Sequence, residues 1–272
     1  MGNVSGGVLI PEQACYDVLR YSLVLRVDSR DKTIEGSLTL SASAVSPMQR
    51  LALDLDDHLE VREVTGTQEL EWKFEERRIW IDLARPVPAG EAFEVTVGYG
   101  GTPREAPRPP WDGGFTWSQT AAGEPWIATS CQGEGADLWW PCKDHPTEEP
   151  DSMAINITVP SDIMCVANGR LREKVETDVK TTYKWFVTKP INNYNVSVNI
   201  ANYAVIADTI HSVTGIQPAT YYVLDYNEAV AREHFKEARV MMRSLEKFFG
   251  PFPFWEDGYK LVETPYLGME HQ

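Results

Sequence analysis

Basic residues are scarce in this chain. Its 272 residues include 25 Lys and Arg against 40 Asp and Glu, a formal net charge of −15. It therefore lacks the basic footprint that nucleic-acid binding requires, and an anionic membrane surface would repel it; we assign the acidity to solubility rather than to recognition of cationic substrates. Long apolar runs are missing too, for none approaches the roughly 20 residues of a transmembrane segment. The opening Met1-Gly-Asn-Val-Ser-Gly-Gly has neither the basic start nor the apolar centre of a secretory signal. That fits a cytosolic protein or an exported one whose signal has been removed. The four cysteines, Cys15, Cys131, Cys142 and Cys165, show no Cys-x-x-Cys spacing, which argues against a structural zinc site. Buried free thiols are expected, with a Cys131–Cys142 bridge left open across a bend. The sequence contains no Gly-x-Ser-x-Gly elbow, no phosphate-binding Gly-x-x-x-x-Gly-Lys loop, no fixed-period repeat and no low-complexity segment.

What the chain does contain points to β-structure. Its length exceeds the usual single domain, so two domains, or one domain and part of another, are expected. Hydrophobic residues make up 43% and charged residues 24%, enough for a packed core. Eleven Tyr, nine Trp and nine Phe are a rich supply of strand-favouring side chains. From Tyr16 to about Thr209 apolar residues recur with period two. Tyr21, Leu23, Leu25 and Val27 form one such set; Ile34, Gly36, Leu38 and Leu40 form the next. Leu51 to Leu55, Ile79 to Leu83, Phe93 to Tyr99, Ile155 to Val159, Tyr183 to Val187 and Tyr194 to Ile200 repeat the pattern. Short alternating strands at close spacing imply antiparallel sheets with one buried face each, packed sheet on sheet. The expectation is a mainly β protein whose first two hundred or so residues form an all-β domain.

Two stretches interrupt the strands. Pro103 to Pro110, with four prolines, reads as an extended connector leading to a turn at Asp112-Gly-Gly114. Ser130-Cys-Gln-Gly-Glu-Gly-Ala136 reads as a polar loop leading into Trp139-Trp-Pro-Cys-Lys-Asp144. After Tyr222 the period changes. Ala231, Phe235, Ala238, Met242, Leu245 and Phe249 step by four and three, which predicts one core-facing helix of about twenty residues. Asp225-Tyr-Asn-Glu228 supplies a capping-box pattern at its start and Gly250-Pro251 a stop. A strand follows at Tyr259 to Glu263. This switch places a domain boundary near Ala219 to Tyr222, giving residues 1–221 as the all-β domain and 222–272 as the start of a second.

The chemistry centres on two acceptor-bearing stretches. A carboxylate beside a glycine at a strand end, as at Gly268 and Glu270, can meet a charged ligand while the backbone approaches it closely. An enzyme that removes the first residue of a peptide must hold a free α-ammonium, and a partly dried cation needs acceptors. Glu270 and the Gln132/Glu134 loop are the two places to look. Gln132 and Glu270 lie 138 positions apart, and nothing in their spacing shows that they meet.

Pro-Tyr-Leu-Gly-Met-Glu resembles the Gly-x-Met-Glu-Asn exopeptidase signature of the zinc aminopeptidases related to aminopeptidase N and leukotriene hydrolase. Ser130-Cys-Gln-Gly-Glu-Gly, followed by Trp140-Pro-Cys-Lys-Asp144, is similar to that family's front-domain segment. The resemblance covers nearly the whole chain. It implies a saddle-like β-sandwich followed by the first helix and strand of a thermolysin-like α/β catalytic domain. It also implies that Gln132 and Glu270 jointly hold a peptide's amino group, with Gly268 and Met269 offering main-chain groups along the substrate. Two positions depart from the signature. His271 stands where Asn is usual, and Leu267 replaces the first Gly, which bears on a backbone contact and on the breadth of side chains accepted.

Family members hold zinc with His-Glu-x-x-His on a helix and a more distant Glu. His58, His145, His211, His234 and His271 do not form that pattern, so no catalytic or metal-binding residue is expected in this chain, which is predicted inactive by itself. The resemblance implies zinc in the parent enzyme, a peptide substrate, and remaining catalytic and C-terminal domains of the same chain as partners. An epoxide hydrolase of the leukotriene-hydrolase type, a non-catalytic protein-binding scaffold and a free-standing adhesion module are the alternatives. Trp139-Trp140 is read as packing, Asp144-His145 as structural, Glu148-Glu149-Pro-Asp151 as a solvated turn and the helical stripe as core. Apolar surface is expected near Phe235, Met242 and Phe252.

Overall fold

The computed structural model describes residues 7–268. A short helix α1 (Pro11–Ala14) precedes β1 (Tyr16–Asp28), β2 (Thr33–Ala44), β3 (Met48–Asp54), β4 (Leu59–Gly66), β5 (Leu70–Glu75), β6 (Arg78–Val87) and β7 (Ala92–Gly101). Next come β8 (Gly114–Gln119), β9 (Pro125–Ser130), β10 (Ser152–Pro160), β11 (Met164–Ala167), β12 (Arg170–Glu176), β13 (Lys180–Val187) and β14 (Val198–Ala201). The last part holds β15 (Tyr203–Ser212), β16 (Gly215–Leu224), α2 (Glu228–His234), α3 (Lys236–Phe249) and β17 (Tyr259–Val262). The mainly β expectation is borne out.

The described residues form four sheets. The largest runs β12-β13-β10-β1-β2-β7-β4, and β3-β6-β5 and β11-β14-β9-β8 supply two more. Alternation sets their faces. Along β1, Tyr21, Leu23, Leu25 and Val27 are 2% exposed or less, and Leu23 sits opposite Leu38 of β2. One buried cluster unites these three sheets; each fully buried Leu or Ile contributes about 1.5–3 kcal/mol. The pairing is not wholly antiparallel, because β1 and β10 run parallel. A parallel pair needs a long crossover, and residues 29–151 provide it. Near residue 194 the expected alternation starts too early: Asn193–Asn195 is a 3-10 turn and the strand begins at Val198.

The fourth sheet, β15-β16-β17, divides two cores. Tyr203, Tyr222 and Leu224 face the main cluster. Ile206, Ile210, Ala219, Tyr221 and Val223 face a second one with Ala231, Ala238, Met242 and Trp255. The boundary expected at 219–222 therefore falls inside β16, the strand both cores share.

The expected single helix is two. The chain turns at Phe235 between α2 and α3, with Ala238 N–H bonding Phe235 O at 3.1 Å. The turn sets the Phe235 ring 4.8 Å from that of Tyr221. Gly250, at φ 90°, ends α3 as expected. The capping box does not form: Asp225 Oδ1 accepts from Tyr226 N, and Glu228 pairs with Arg232 one turn on. The stripe is buried at Ala231, Ala238 and Met242 and half-buried against the second core at Phe235; Leu245 is half exposed and Phe249 is 83% exposed. Among the described residues no helix is long and apolar enough to cross a membrane.

Candidate functional site

The loop that carries Gln132 is short and tightly held. β9 ends at Ser130, and the Cys131 carbonyl then accepts from Glu134 N at 3.1 Å and Gly135 N at 2.8 Å. The Glu134 carboxylate takes a 2.8 Å ion pair from Arg104 and the N–H of Gly113, so Glu134 is committed to the framework. Ala136 N donates to Asp144 Oδ1 at 3.0 Å. Gln132 stands exposed on this pinned loop. Beneath it Trp139 and Trp140 are fully buried, the packing role expected of them. All four cysteines are buried and unbridged, and burial pushes the Cys131 thiol up.

The segment that leads toward the signature runs beside this loop. β17 pairs in parallel with β16, after which Glu263 N bonds Tyr222 O at 2.8 Å. The Glu263 carboxylate accepts from Leu224 N at 2.8 Å and Asn227 Nδ2 at 2.7 Å. Its carbonyl accepts from Trp126 Nε1 at 3.3 Å and Tyr203 Oη at 3.0 Å. Three residues on, Tyr266 Oη donates to the Thr129 carbonyl at 2.7 Å. Burial, and secondarily the neighbouring Cys131, pushes the Tyr266 phenol up. Residue 266 is thus fastened to the strand that ends two positions before Gln132. Gly268 lines a pocket of about 520 Å³ with Asn168, Asn199, His234, Phe252 and Tyr266. Met269 and Glu270, with His271, lie outside the described residues.

A second set of contacts fixes β17 from the other side. Asp257, 3% exposed, accepts from Thr188 N at 2.7 Å, Thr188 Oγ1 at 2.8 Å and Lys189 N at 3.0 Å. Arg170 donates to the Trp255 carbonyl at 2.7 Å and the Glu256 carbonyl at 2.6 Å. Lys260 Nζ bonds the Gly169 carbonyl over the Trp185 ring, 5.3 Å from its centroid. Burial lowers the Lys260 amine to about 8. Glu263, Tyr266 and Asp257 were not singled out in the sequence. Their types are ordinary, and only the fold shows what they hold.

Other expectations are corrected or refined. Glu148 is not solvated: it is 4% exposed, paired with Lys143, and accepts from Val18 N at 3.0 Å. The carboxylate suits this place because Lys143 is itself buried and needs a counter-charge. Asp144 bonds Ala136 N at 3.0 Å and His145 Nδ1 meets Thr147 Oγ1 at 2.7 Å, contacts that hold the local turn. Among the described residues only Asp56, Asp57 and His58 bring three potential metal-binding atoms within 4.8 Å of one another. Asp56 is already engaged by Arg77 at 3.0 Å and His58 at 2.5 Å, so this is a salt-bridged turn. The described donors do not fit a catalytic zinc, which needs three protein ligands around an open position.

Residues 17–194 match the description of the peptidase M1 N-terminal domain. The chain belongs to the M1 peptidase family. Solved M1 structures share its fold beyond residue 194. An M1 zinc metallopeptidase from Deinococcus radiodurans superposes with a TM-score of 0.78 at 22% identity, covering 97% of this chain and 60% of that one. A mutant of that enzyme bound to a Tyr-Ser-Ala substrate gives 0.77 at 22% identity, covering 95% and 59%. Native yeast LTA4 hydrolase gives 0.74 at 18% identity, covering 92% and 38%. The chain therefore spans well under two thirds of these M1 relatives. No curated protein matches the sequence at a significant level.

Proposed function

We propose that this chain is the amine-recognising part of a zinc-dependent aminopeptidase that removes the N-terminal residue from peptides. Gln132 and Glu270 accept hydrogen bonds from the substrate's α-ammonium, and Gly268 and Met269 present main-chain groups to its backbone. The bond from Tyr266 Oη to the Thr129 carbonyl carries the reading, since it ties the segment before the signature to the strand that leads into the Gln132 loop. Functionally the chain divides into 1–221, with Gln132, and 222–272, with the signature. Zinc belongs to the remaining catalytic domain of the parent and supplies a Lewis acid and an activated water when bound. This chain's residues bind and orient the peptide.

The test uses the zinc-loaded parent enzyme. Glu270→Ala and Gln132→Ala should each raise KM for aminoacyl substrates, by about 10–100-fold for a lost charge-assisted bond, and leave amine-blocked substrates no worse. Wild-type kinetics in Glu270→Ala end the assignment. The likeness to yeast LTA4 hydrolase supports a second reading, an epoxide hydrolase. Turnover of an epoxide without aminoacyl cleavage would favour it, and neither activity would favour a protein-binding scaffold.

A further inference from the structure

Behind the Gln132 loop two carboxyl groups converge. Asp137 lies on the 3-10 turn Ala136–Leu138 and is 4% exposed. One of its oxygens, Oδ2, is 3.0 Å from Arg77 Nη2, a guanidinium that also serves Asp56 Oδ2 at 3.0 Å. The other, Oδ1, is buried without a hydrogen-bond partner. It points at Gly135. A Cβ at that position would lie 2.6 Å from Asp137 Oδ1 and 2.2 Å from Asp144 Oδ2, so both oxygens crowd the same small space. Two ionised carboxylates so placed repel strongly, and a buried acceptor left unpaired costs about 1–3 kcal/mol. One proton on Asp137 removes both penalties.

We propose that Asp137 is a neutral carboxylic acid at neutral pH, donating its O–H toward Asp144 and so bracing the loop that presents Gln132. Among the described charged groups around it, Arg77 opposes this and the carboxylates favour it. Asp54 and Asp56 add negative charge nearby, and burial with Asp144 pushes the Asp137 carboxyl well above the usual range. Arg77 opposes the shift but divides its charge with Asp56. Arg78 is engaged by Asp54 at 3.0 Å, His58 by Asp56, and Lys143 by Glu148. The buried thiols of Cys131 and Cys142 are pushed up and stay neutral. The assignment needs no metal and does not depend on what Gln132 binds.

A carboxyl whose folded-state pKa lies above its unfolded value takes up a proton on folding. Its stabilisation is complete at low pH and is lost as pH rises from the ordinary carboxylate range toward the folded pKa. Asp137→Asn keeps the shape, keeps an acceptor for Arg77 and supplies N–H donors toward Asp144 without a titrating proton. Thermal unfolding should show the variant level with wild type near about pH 5 and more stable, by about 2–4 °C, near about pH 8. An Asp137→Asn protein less stable than wild type near about pH 8 would mean an ionised Asp137 paired with Arg77, and overturns the proposal. Infrared difference spectroscopy between wild type and Asp137→Asn gives a second answer, because Asp54, whose carboxyl is also pushed up by burial, is common to both and cancels. A carboxylic-acid carbonyl band persisting at neutral pH is expected, and its absence overturns the proposal equally.

Discussion

Gly135 shows how much one residue governs here. Its φ of +105° with ψ of 158° lies where side chains are almost never found, and a Cβ would strike both carboxylates beside it. Gly135→Ala is expected to destabilise the chain by at least about 3 kcal/mol, combining backbone strain with overpacking, read as a lower urea midpoint at an unchanged slope. The sequence marks this residue only as one of two glycines in a polar loop, because residue types show neither its φ nor the way the loop folds Asp137 and Asp144 onto it. Glu148 is a similar case. An acidic Glu-Glu-Pro run looks solvated, yet its first member is buried because Lys143, five positions earlier, needs a counter-charge. Trp139 and Trp140 were easier to place, since large aromatics in a β-rich chain nearly always pack.

Elements were legible wherever one face alone is buried. The strands containing Tyr21, Leu38, Ile81 and Ile157 were visible from alternation, because each sheet turns a single face to the core. The break at Phe235 was hidden, since its apolar spacing continues the helical stripe while the ring is needed against Tyr221. β17 shows a further limit. Tyr259 to Glu263 read as a strand, but what holds it is Asp257 gripping Thr188 and Lys189, about 70 positions away in sequence. Asp257→Ala strands three donors and should cost about 3 kcal/mol. Amide exchange should quicken first over residues 255–268, because the grip joins that segment to the front sheet; uniform quickening across all strands would show that Asp257 supports the whole fold and not this junction.

At the scale of the whole molecule, the partition sheet leaves one helix face uncovered. α3 buries Ala238 and Met242 against β15 and β16, while Met241, Leu245, Phe248 and Phe249 are 50–83% exposed. Met241, Leu245 and Phe248 step by four and three, so they form a single stripe. Apolar surface was expected near Phe235, Met242 and Phe252; those three side chains lie in or against the second core, and the uncovered surface is carried by Met241, Leu245, Phe248 and Phe249 beside them. An apolar stripe of this kind drives association when nothing covers it, and the net charge of −15 opposes that by long-range repulsion. The two effects respond oppositely to salt, which screens repulsion within about 10 Å at 0.1 M and leaves apolar contact intact. Light scattering of this chain should therefore show a mass that rises with concentration and rises further with added salt. Phe248→Glu, at a side chain 75% exposed, should return it to a monomer without lowering the unfolding midpoint. A clean wild-type monomer at high concentration and high salt would mean that the stripe is too small to hold two copies together.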